Sequence, residues 1–248
     1  MTKQRLDQEM VARQIVATRS QAESFIKLGK VLVDGRVVSK AGTLVDADYD
    51  IKLTITEQYV SRAGLKLASV AAFLGLDFRD KVVLDVGSST GGFTDYALRH
   101  GAQRVIAVEV GTNQLHPSLH GDPRIELHEK TDVRDLTLKK QEPGKIIIEA
   151  PNIVVADVSF VSLRDILPHV SQLMTHDSIL VAMVKPQFEA AQENLKHKGV
   201  IKNDRMRRQI LQGFELWSKR YFVIRAKADS DVAGAKGNRE RFYLLQKI

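Results

Sequence analysis

The chain has 248 residues, no cysteine, and 37 lysines and arginines against 30 aspartates and glutamates, a net charge of +7. This length allows one large domain, or one large and one small, and the missing cysteines exclude a disulfide scaffold, a thiolate zinc site and a cysteine nucleophile. No apolar run approaches the roughly 18 to 20 residues that cross a bilayer, and residues 1–19 lack a signal peptide, so we expect a cytoplasmic protein. The positive excess indicates nucleic acid or an anionic membrane surface as partner, unless it serves only solubility.

The first fifty or so residues predict a small α+β module. After one helix-spaced apolar segment, a second short helix is expected to begin at Ser20, where Glu23 would complete a capping box. The turn Asp34-Gly35 between valines predicts a tight hairpin, and apolar residues alternate over 51–55 as a further strand. Such a module is too small to host an active site but large enough to bind a partner.

Basic residues are concentrated in this module, with eight against four acidic residues in 1–40. Its motifs are similar to those of the small RNA-binding domain named after the fourth small-subunit ribosomal protein: Arg5-Leu6-Asp7, Thr18-Arg19-Ser20-Gln21-Ala22 and Gly29-Lys30-Val31-Leu32-Val33-Asp34-Gly35. The resemblance implies that basic side chains contact folded RNA, and the candidates are Arg5, Arg19, Lys30 and Arg36. The alternative is a small basic cap on a larger domain.

From residue 81 onward, buried strands alternate with helices. Strands are predicted at 82–85, 104–110, 125–128, 153–157 and 179–184, and helices at 93–100, 163–174 and 204–220. Apolar runs separated by helices predict a parallel sheet covered on both faces. Two further strands, 221–227 and 241–246, form a closing antiparallel hairpin, and a helix over 61–76 precedes the sheet. The predicted fold class is therefore α/β with a mostly parallel seven-stranded sheet, preceded by the small α+β module.

A glycine-rich loop follows the first of these strands, with the sequence Asp85-Val86-Gly87-Ser88-Ser89-Thr90-Gly91-Gly92-Phe93-Thr94. A phosphate-binding P-loop would need a lysine after Gly92, and a dinucleotide fingerprint would need glycine where Ser89 stands. The loop also matches the Gly-x-Ser-x-Gly nucleophile elbow. That reading requires a later acid and histidine, and no motif surrounds the candidate histidines His169, His176 and His197.

The loop instead resembles that of class I, Rossmann-like methyltransferases, which use S-adenosylmethionine. In that class an acid ending the second strand accepts both ribose hydroxyls, a role open to Glu109, and Asp132 is placed to meet the adenine amino group. Considered alone, Glu109 or Asp132 is equally well explained as a solvent-exposed residue at the end of a strand. The predicted cofactor-binding residues are Asp85, Gly87, Ser88, Ser89, Thr90, Gly91, Gly92, Phe93, Glu109, Asp132 and Asp157.

Four charged residues from distant parts of the chain form a second constellation. Asp157 and Lys185 follow the fourth and fifth strands, and Glu240 begins the last one. All three are therefore expected near the sheet ends, where ligands bind in such folds. Lys66 lies on the helix before the first strand. Each of these residues alone is more often a surface charge.

Several motifs together resemble the TlyA family of ribosomal RNA methyltransferases. These are the glycine loop, Tyr59-Val60-Ser61-Arg62-Ala63-Gly64-Leu65-Lys66-Leu67, Asp157-Val158-Ser159-Phe160, Val184-Lys185-Pro186-Gln187-Phe188-Glu189 and Lys236-Gly237-Asn238-Arg239-Glu240. The resemblance implies an S-adenosylmethionine-dependent enzyme that methylates a ribose 2′-hydroxyl, that of cytidine, in small- or large-subunit ribosomal RNA. It implies Lys66, Asp157, Lys185 and Glu240 as the catalytic tetrad, with no metal and no membrane partner. Whether Lys185 is a general base or only positions the hydroxyl stays open.

The resemblance also implies a domain plan, namely an RNA-binding domain at 1–56, a linker at 57–62 and an FtsJ-like catalytic domain at 63–248. Two other functions remain, a non-catalytic RNA-binding assembly factor and the haemolysin activity for which the family carries a label. A second basic cluster lies at 196–225 and includes Arg205, Arg207 and Arg208. We expect Arg205 and Arg208 to contact RNA phosphates, unless the helix that bears them presents a merely solvated face.

Overall fold

A computed structural model describes residues 3–16, 18–54, 59–138, 145–147, 149–197, 199–234 and 237–248. The chain divides into two compact units, Met1–Arg62 and Ala63–Ile248. Residues 57 and 58 of the expected linker lie outside the described residues, as do Ile55, Lys198 and Lys236. The domain limits 1–56 and 63–248 stay predictions.

The first unit is built from two helices and several short strands. They are β1 (Gln4–Arg5), α1 (Leu6–Ala12), α2 (Arg19–Lys27), β2 (Val31–Val33), β3 (Arg36–Val37), β4 (Leu44–Val45) and β5 (Ile51–Leu53). Strand β2 pairs antiparallel with β3 and β5, and β1 pairs antiparallel with β4. The expected hairpin is confirmed, since Asp34 and Gly35 both have positive φ angles, 48° and 75°, which suit a tight two-residue turn.

The core of this unit lies between its two helices. Leu6 and Met10 lie one helical turn apart on α1, Phe25 and Ile26 lie on α2, and all four side chains are buried. Fully burying side chains of this size stabilises a fold by roughly 1.5–3 kcal/mol each. The helical spacing of the apolar residues therefore places one face of each helix in the core.

The second helix begins two residues earlier than the sequence pattern predicted. Thr18 is the N-cap: its hydroxyl accepts a hydrogen bond from the Gln21 backbone N–H at 3.2 Å, and the Gln21 side chain accepts one from the Thr18 N–H at 3.3 Å. The predicted cap at Ser20 is therefore wrong. Helix α1 ends at Ala12, and Thr18 itself has an extended backbone conformation, as an N-cap residue requires, so the earlier of two overlapping capping patterns is used.

The second unit contains the large sheet and the helices around it. Its elements are α3 (Arg62–Ala71), β6 (Val82–Val86), α4 (Gly92–Arg99), β7 (Arg104–Val108), β8 (Ile125–His128), β9 (Leu136–Thr137), β10 (Lys145–Ile146), β11 (Ile153–Ala156), α5 (Leu163–Leu173), β12 (Ile179–Val184), α6 (Pro186–Glu189), α7 (Asp204–Ser218), β13 (Phe222–Asp229) and β14 (Arg241–Lys247). Single 3-10 turns lie at Pro117–Leu119, Val133–Asp135 and Ala190–Glu193.

Seven strands form one sheet in the order β13-β14-β12-β11-β6-β7-β8. The strands from β12 to β8 are parallel, and β14 is antiparallel to both of its neighbours. The predicted α/β fold class, with its mostly parallel seven-stranded sheet and closing hairpin, is confirmed. The pair β9–β10 was not predicted, because two-residue strands carry too little periodicity to be recognised.

The strand order places a crevice at the centre of the sheet. Strand β7, which follows β6 along the chain, lies on one side of β6, and β11, which comes later in the chain, lies on the other side of β6. In open α/β sheets, ligands bind outside the carboxyl ends of the strands at such a reversal of order. The ends of β6, β7, β11 and β12 are therefore where a functional site is expected.

We expect Thr18→Ala to lower the free energy of unfolding by about 1 kcal/mol, because the N-terminus of α2 loses its side-chain cap. Chemical denaturation followed by circular dichroism measures the change. Ser20→Ala is the matched control, since the Ser20 hydroxyl accepts an exposed hydrogen bond from Arg62 and does not cap the helix. A loss for Ser20→Ala equal to that for Thr18→Ala would contradict the assignment of the cap.

Candidate active site at the carboxyl ends of the strands

The loop after β6 depends on two of its glycines. Gly87 and Gly91 have φ angles of 81° and 84°, a region that side chains other than glycine rarely adopt. A Cβ atom on Gly87 would lie 2.8 Å from the backbone oxygen of Asp157, and one on Gly91 would lie 2.5 Å from Leu119 Cδ1. Only glycine fits at both places. The loop therefore packs directly against the end of β11 before α4 begins at Gly92.

A cavity of about 510 Å³ opens beside this loop. Five of the residues predicted to bind a cofactor line it: Gly87, Ser89, Glu109, Asp132 and Asp157. The other predicted cofactor residues do not line its wall: Asp85, Ser88, Thr90, Gly91, Gly92 and Phe93. Phe93 packs in the core, with its ring centroid 6.1 Å from that of Phe242. The glycine loop thus contributes its first half to the cavity and its second half to the start of α4.

Glu109 stands where β7 leaves the sheet, at the wall of the cavity. One carboxylate oxygen accepts a hydrogen bond from the Ser89 backbone N–H at 2.9 Å, and the other accepts one from the Gly111 N–H at 2.7 Å. Glu109 is 8% exposed. Each oxygen of a carboxylate has a second lone pair, so both still have acceptor capacity for hydroxyl groups in the cavity.

Asp132 lies on the same wall but is engaged with a neighbour. Its carboxylate binds the Arg134 guanidinium in a bidentate pair, at 2.9 and 2.7 Å, and also accepts the Arg134 backbone N–H. The hydrogen bond from Arg134 lowers the pKa of Asp132 below its ordinary value. Arg134 itself lines the cavity, a position that the sequence patterns did not indicate.

Beneath the loop lies a buried acid. Asp85 is 1% exposed, and one of its oxygens accepts a hydrogen bond from the Thr94 hydroxyl at 2.7 Å. Within the described part of the chain, its other oxygen and the Ser88 hydroxyl have no hydrogen-bond partner. Burial raises the pKa of Asp85 to about 7, although the Thr94 hydrogen bond opposes the rise. An unsatisfied buried acceptor suits a ligand that brings a donor or a positive charge.

The four tetrad candidates form two buried ion pairs. Lys185 Nζ lies 2.6 Å from an oxygen of Asp157 and donates a hydrogen bond to the Ser159 hydroxyl at 2.7 Å. Lys66 Nζ lies 2.6 Å from an oxygen of Glu240. All four side chains are at most 15% exposed. Buried ammonium groups require such partners, because an isolated charge would lose its hydration without compensation.

Strand register explains why these residues meet. Val184 pairs with Arg241, so Lys185 and Glu240 leave the antiparallel pair β12–β14 at the same end. Strand β11 lies on the other side of β12 and ends at Ala156, next to Asp157. Lys66 reaches Glu240 from α3. Three adjacent strand ends and one helix therefore gather residues far apart in sequence.

Asp157 and Ser159 connect the Lys185–Asp157 ion pair to the cavity. Both residues line the cavity wall and both contact Lys185 Nζ. The amine of Lys185, the carboxylate of Asp157 and the hydroxyl of Ser159 therefore lie together at the edge of the cavity. That arrangement can hold a hydroxyl group of a substrate and take up a proton beside a bound second reactant.

Phe160 is a feature that the sequence reasoning did not single out. Its φ angle is 67°, it is 93% exposed, and it lines the same cavity. Its ring centroid lies 5.4 Å from that of Phe188, which in turn lies beneath Lys185 Nζ at 5.7 Å. An exposed aromatic side chain in a strained conformation beside a cavity indicates a surface for a planar ligand.

The predicted RNA-contacting residues of the first unit differ in their surroundings. Arg5 and Arg19 both bind the buried carboxylate of Asp7, at 2.9 and 2.7 Å. Burial raises the pKa of Asp7, but hydrogen bonds from Arg5 and Arg19 outweigh it and hold that pKa below its ordinary value. Both arginines stay about half exposed, and Lys30 and Arg36 are exposed. The two ion pairs with Asp7 therefore hold the side chains of Arg5 and Arg19, which are two of the four candidate RNA-contacting residues.

The second basic cluster must be corrected at one position. Arg207 is 6% exposed, pairs with Asp229 at 2.6 Å and donates a hydrogen bond to the Arg239 carbonyl. It is a structural residue rather than part of a solvent-facing basic surface. Arg205 and Arg208, on the same helix, are exposed. Helical geometry separates them, because α7 turns its 207, 210, 211 and 214 positions inward.

Comparison with known proteins agrees with this geometry. The family model for FtsJ-like methyltransferases matches residues 59–247, and that for the S4 domain matches residues 4–51. Hemolysin A of Brachyspira hyodysenteriae is 36% identical over 240 residues, 95% of this chain and 97% of that protein. The 16S/23S rRNA (cytidine-2′-O)-methyltransferase TlyA of Mycobacterium tuberculosis is 34% identical over 247 residues, 98% of this chain and 89% of that protein.

A solved structure from Streptococcus thermophilus, which carries a hemolysin name, covers 100% of this chain and 89% of its own, with a TM-score of 0.70 at 34% identity. Sheet, glycine loop and cavity define a class I methyltransferase fold. The chain belongs to the FtsJ-like methyltransferases and, within them, to the TlyA family. Among the described residues, no helix is both long enough and apolar enough to cross a membrane.

The raised pKa of Asp85 predicts a distinctive pH dependence of stability. The ordinary value for this group is 3.8 and the folded value is about 7, so the folded state binds the proton more tightly. This residue's contribution to stability is therefore fully present below pH 4 and is lost as the pH rises to 7, a change on the order of 4 kcal/mol.

Urea unfolding of the cofactor-free protein from pH 4 to 8, compared with Asp85→Asn, isolates this effect. We expect the difference in unfolding free energy between the two proteins to shift in favour of the variant as the pH rises. Thr94→Val serves as a control that removes the hydrogen bond but keeps the carboxyl group. A difference that is constant across this pH range would contradict the assignment.

Proposed function

We propose that this protein transfers a methyl group from S-adenosylmethionine to the ribose 2′-hydroxyl of a cytidine in ribosomal RNA. The observation that carries the proposal is the Lys185–Asp157 pair, which borders the cavity beside the glycine loop. The TlyA relative whose name gives this reaction supports the substrate and the position of transfer. The S4 domain supports an RNA substrate.

The cavity suits the cofactor that class I methyltransferases generally use. Glu109 offers paired acceptors for the ribose hydroxyls, and Asp132 and Arg134 lie on the wall proposed for the adenine. Gly87 lets the loop pack against the end of β11 at the cavity wall, and Asp85, buried beneath that loop, has an unsatisfied oxygen that suits the cationic amino-acid end. Bound S-adenosylmethionine supplies a methyl group activated by a positively charged sulfur.

The residues at the end of β12 supply the remaining chemistry. A ribose hydroxyl must lose its proton as its oxygen bonds to the methyl group and the bond from sulfur to that methyl group breaks. The Lys185 ammonium first releases a proton to solvent, and its neutral amine then receives the proton of the hydroxyl. Asp157 and Ser159 hold the Lys185 side chain in place. Glu240 holds Lys66, so that a second cation lies in the tetrad with its own counterion. Positioning and proton uptake account for the protein's part in the reaction.

The surfaces around the site fit a single-stranded or flipped nucleotide. Phe160 presents an exposed ring on which a base can stack, as aromatic side chains do in many RNA-binding proteins. Arg205 and Arg208 supply exposed cations on α7. The two buried ion pairs favour an enzyme over a non-catalytic assembly factor, because a pure binding protein has no need of buried lysines at a cavity.

We expect Lys185→Ala to abolish methyl transfer while leaving the affinity for S-adenosylmethionine within about threefold of wild type, because Lys185 does not line the cavity. Labelled S-adenosylmethionine, unmodified ribosomal subunits and mapping of 2′-O-methyl sites measure transfer, and calorimetry measures binding. Lys66→Arg, which keeps the cation beside Glu240, is the matched comparison and should retain part of the activity. Full activity in Lys185→Ala would remove Lys185 from the mechanism.

We also expect the affinity for RNA to fall steeply with salt, since each neutralised phosphate releases counterions. Replacing Arg205 and Arg208 together by alanine should reduce the slope of log K against log salt by about 1 to 2. Arg79→Ala is the control, because Arg79 is exposed but pairs with Asp77 outside the cluster. Filter binding at several salt concentrations measures the slopes. An unchanged slope in the double variant would show that α7 does not contact phosphates.

A further inference from the structure

Glu189 ends the Lys185-Pro186-Gln187-Phe188-Glu189 motif but belongs to neither ion pair of the tetrad. It is 1% exposed, at the end of α6. One carboxylate oxygen accepts a hydrogen bond from the Ser162 hydroxyl at 2.6 Å, and the other accepts one from the Leu163 backbone N–H at 2.7 Å. Both oxygens are thus directed at two consecutive residues from a different part of the chain.

Those two residues end the loop that carries the functional side chains. The loop, residues 157–162, starts at Asp157 after β11, includes Ser159 and Phe160, and leads into α5. At its first end, Asp157 is held by Lys185 at 2.6 Å. At its second end, Ser162 is held by Glu189. Both anchors come from the single short segment 185–189.

The second anchor, the carboxylate of Glu189, makes hydrogen bonds of fixed direction. Burial raises the pKa of Glu189, and the hydrogen bonds from Ser162 and Leu163, together with the charge of Arg164, oppose that rise. Its carboxylate lies at the N-terminus of α5, where the helix dipole favours negative charge. A buried carboxylate is a costly way to fill space, whereas two hydrogen bonds from one rigid group define the direction of the chain.

We propose that Glu189 is a positioning residue for methyl transfer, which fixes the loop 157–162 so that Asp157, Ser159 and Phe160 keep their places beside Lys185. The proposal rests on the proposed function, because it names the reaction that the loop serves. A displacement of about 1 Å in a catalytic group costs on the order of 100-fold in rate. Between the two anchors, Phe160 is 93% exposed and its ring packs against that of Phe188, which belongs to the same segment 185–189.

The first test separates positioning from folding through kinetics. We expect Glu189→Ala to lower kcat by about 10- to 100-fold while the affinity for S-adenosylmethionine stays within about threefold of wild type. Glu189→Gln keeps an acceptor for Leu163 and should recover part of kcat. Glu193→Gln is the matched control, since Glu193 pairs with the same Arg164 at 2.7 Å but does not touch the loop. A wild-type kcat in Glu189→Ala would overturn the proposal.

The second test measures the mobility of the loop 157–162 and does not depend on enzymatic activity. Phe160→Trp in a Trp217→Phe background places the only indole of the chain on the loop. Adding Glu189→Ala should lower the steady-state fluorescence anisotropy of this indole, because the loop gains mobility, whereas adding Glu193→Gln should leave the anisotropy unchanged. Unchanged anisotropy in the Glu189→Ala protein would overturn the proposal even if kcat fell.

The two tests also distinguish this proposal from the proposed function. If the wild-type protein transfers no methyl group to ribose, the proposed function fails, while the anisotropy experiment still decides whether Glu189 holds the loop. If Glu189→Ala does not fold, Ser162→Ala removes the hydrogen bond between Ser162 and Glu189 and leaves that from the Leu163 N–H. Because the Ser162 hydroxyl also caps α5, Ser162→Gly and Ser162→Ala are compared at equal stability. Ser162→Ala should then lower both kcat and the anisotropy of the indole, and wild-type values for both would contradict the proposal.

Discussion

Burial of two lysine side chains at one end of the sheet is the constraint on which this site depends. Lys66 and Lys185 are each less than 10% exposed, and each ammonium lies 2.6 Å from a carboxylate. Removing such charges from water is tolerable only with a partner in good geometry. Asp157 and Glu240 must therefore arrive at the same place, which requires β11, β12 and β14 to be adjacent and in their observed register.

Much of this arrangement could be predicted because it depends on local sequence patterns. Buried strands are recognised as apolar runs, and a glycine loop between a strand and a helix indicates the position of the crevice. The tetrad was accessible only through resemblance to a family, because Lys66 and Glu240 are separated by most of the chain. Their meeting is set by the antiparallel register of β14 against β12, which no local pattern contains.

The errors also have physical causes. Two capping patterns overlap at the start of α2, and the choice of Thr18 over Ser20 depends on where α1 ends. Charge counting treated Asp7 as a residue that cancels basic charge, whereas it orders the side chains of Arg5 and Arg19. Glu189 gave no local signal of its role, since its partners lie 26 and 27 residues earlier in the chain.

The position of β14 has a consequence for how the protein is made. This strand follows β13 along the chain but lies between β12 and β13 in the sheet. On the ribosome, β13 therefore emerges before the strand that joins it to the rest of the sheet. Glu240 immediately precedes β14, so Lys66 gains its counterion only when this strand takes its place in the sheet. A chain interrupted before β14 therefore lacks the strand that joins β13 to the sheet and that places Glu240 beside Lys66.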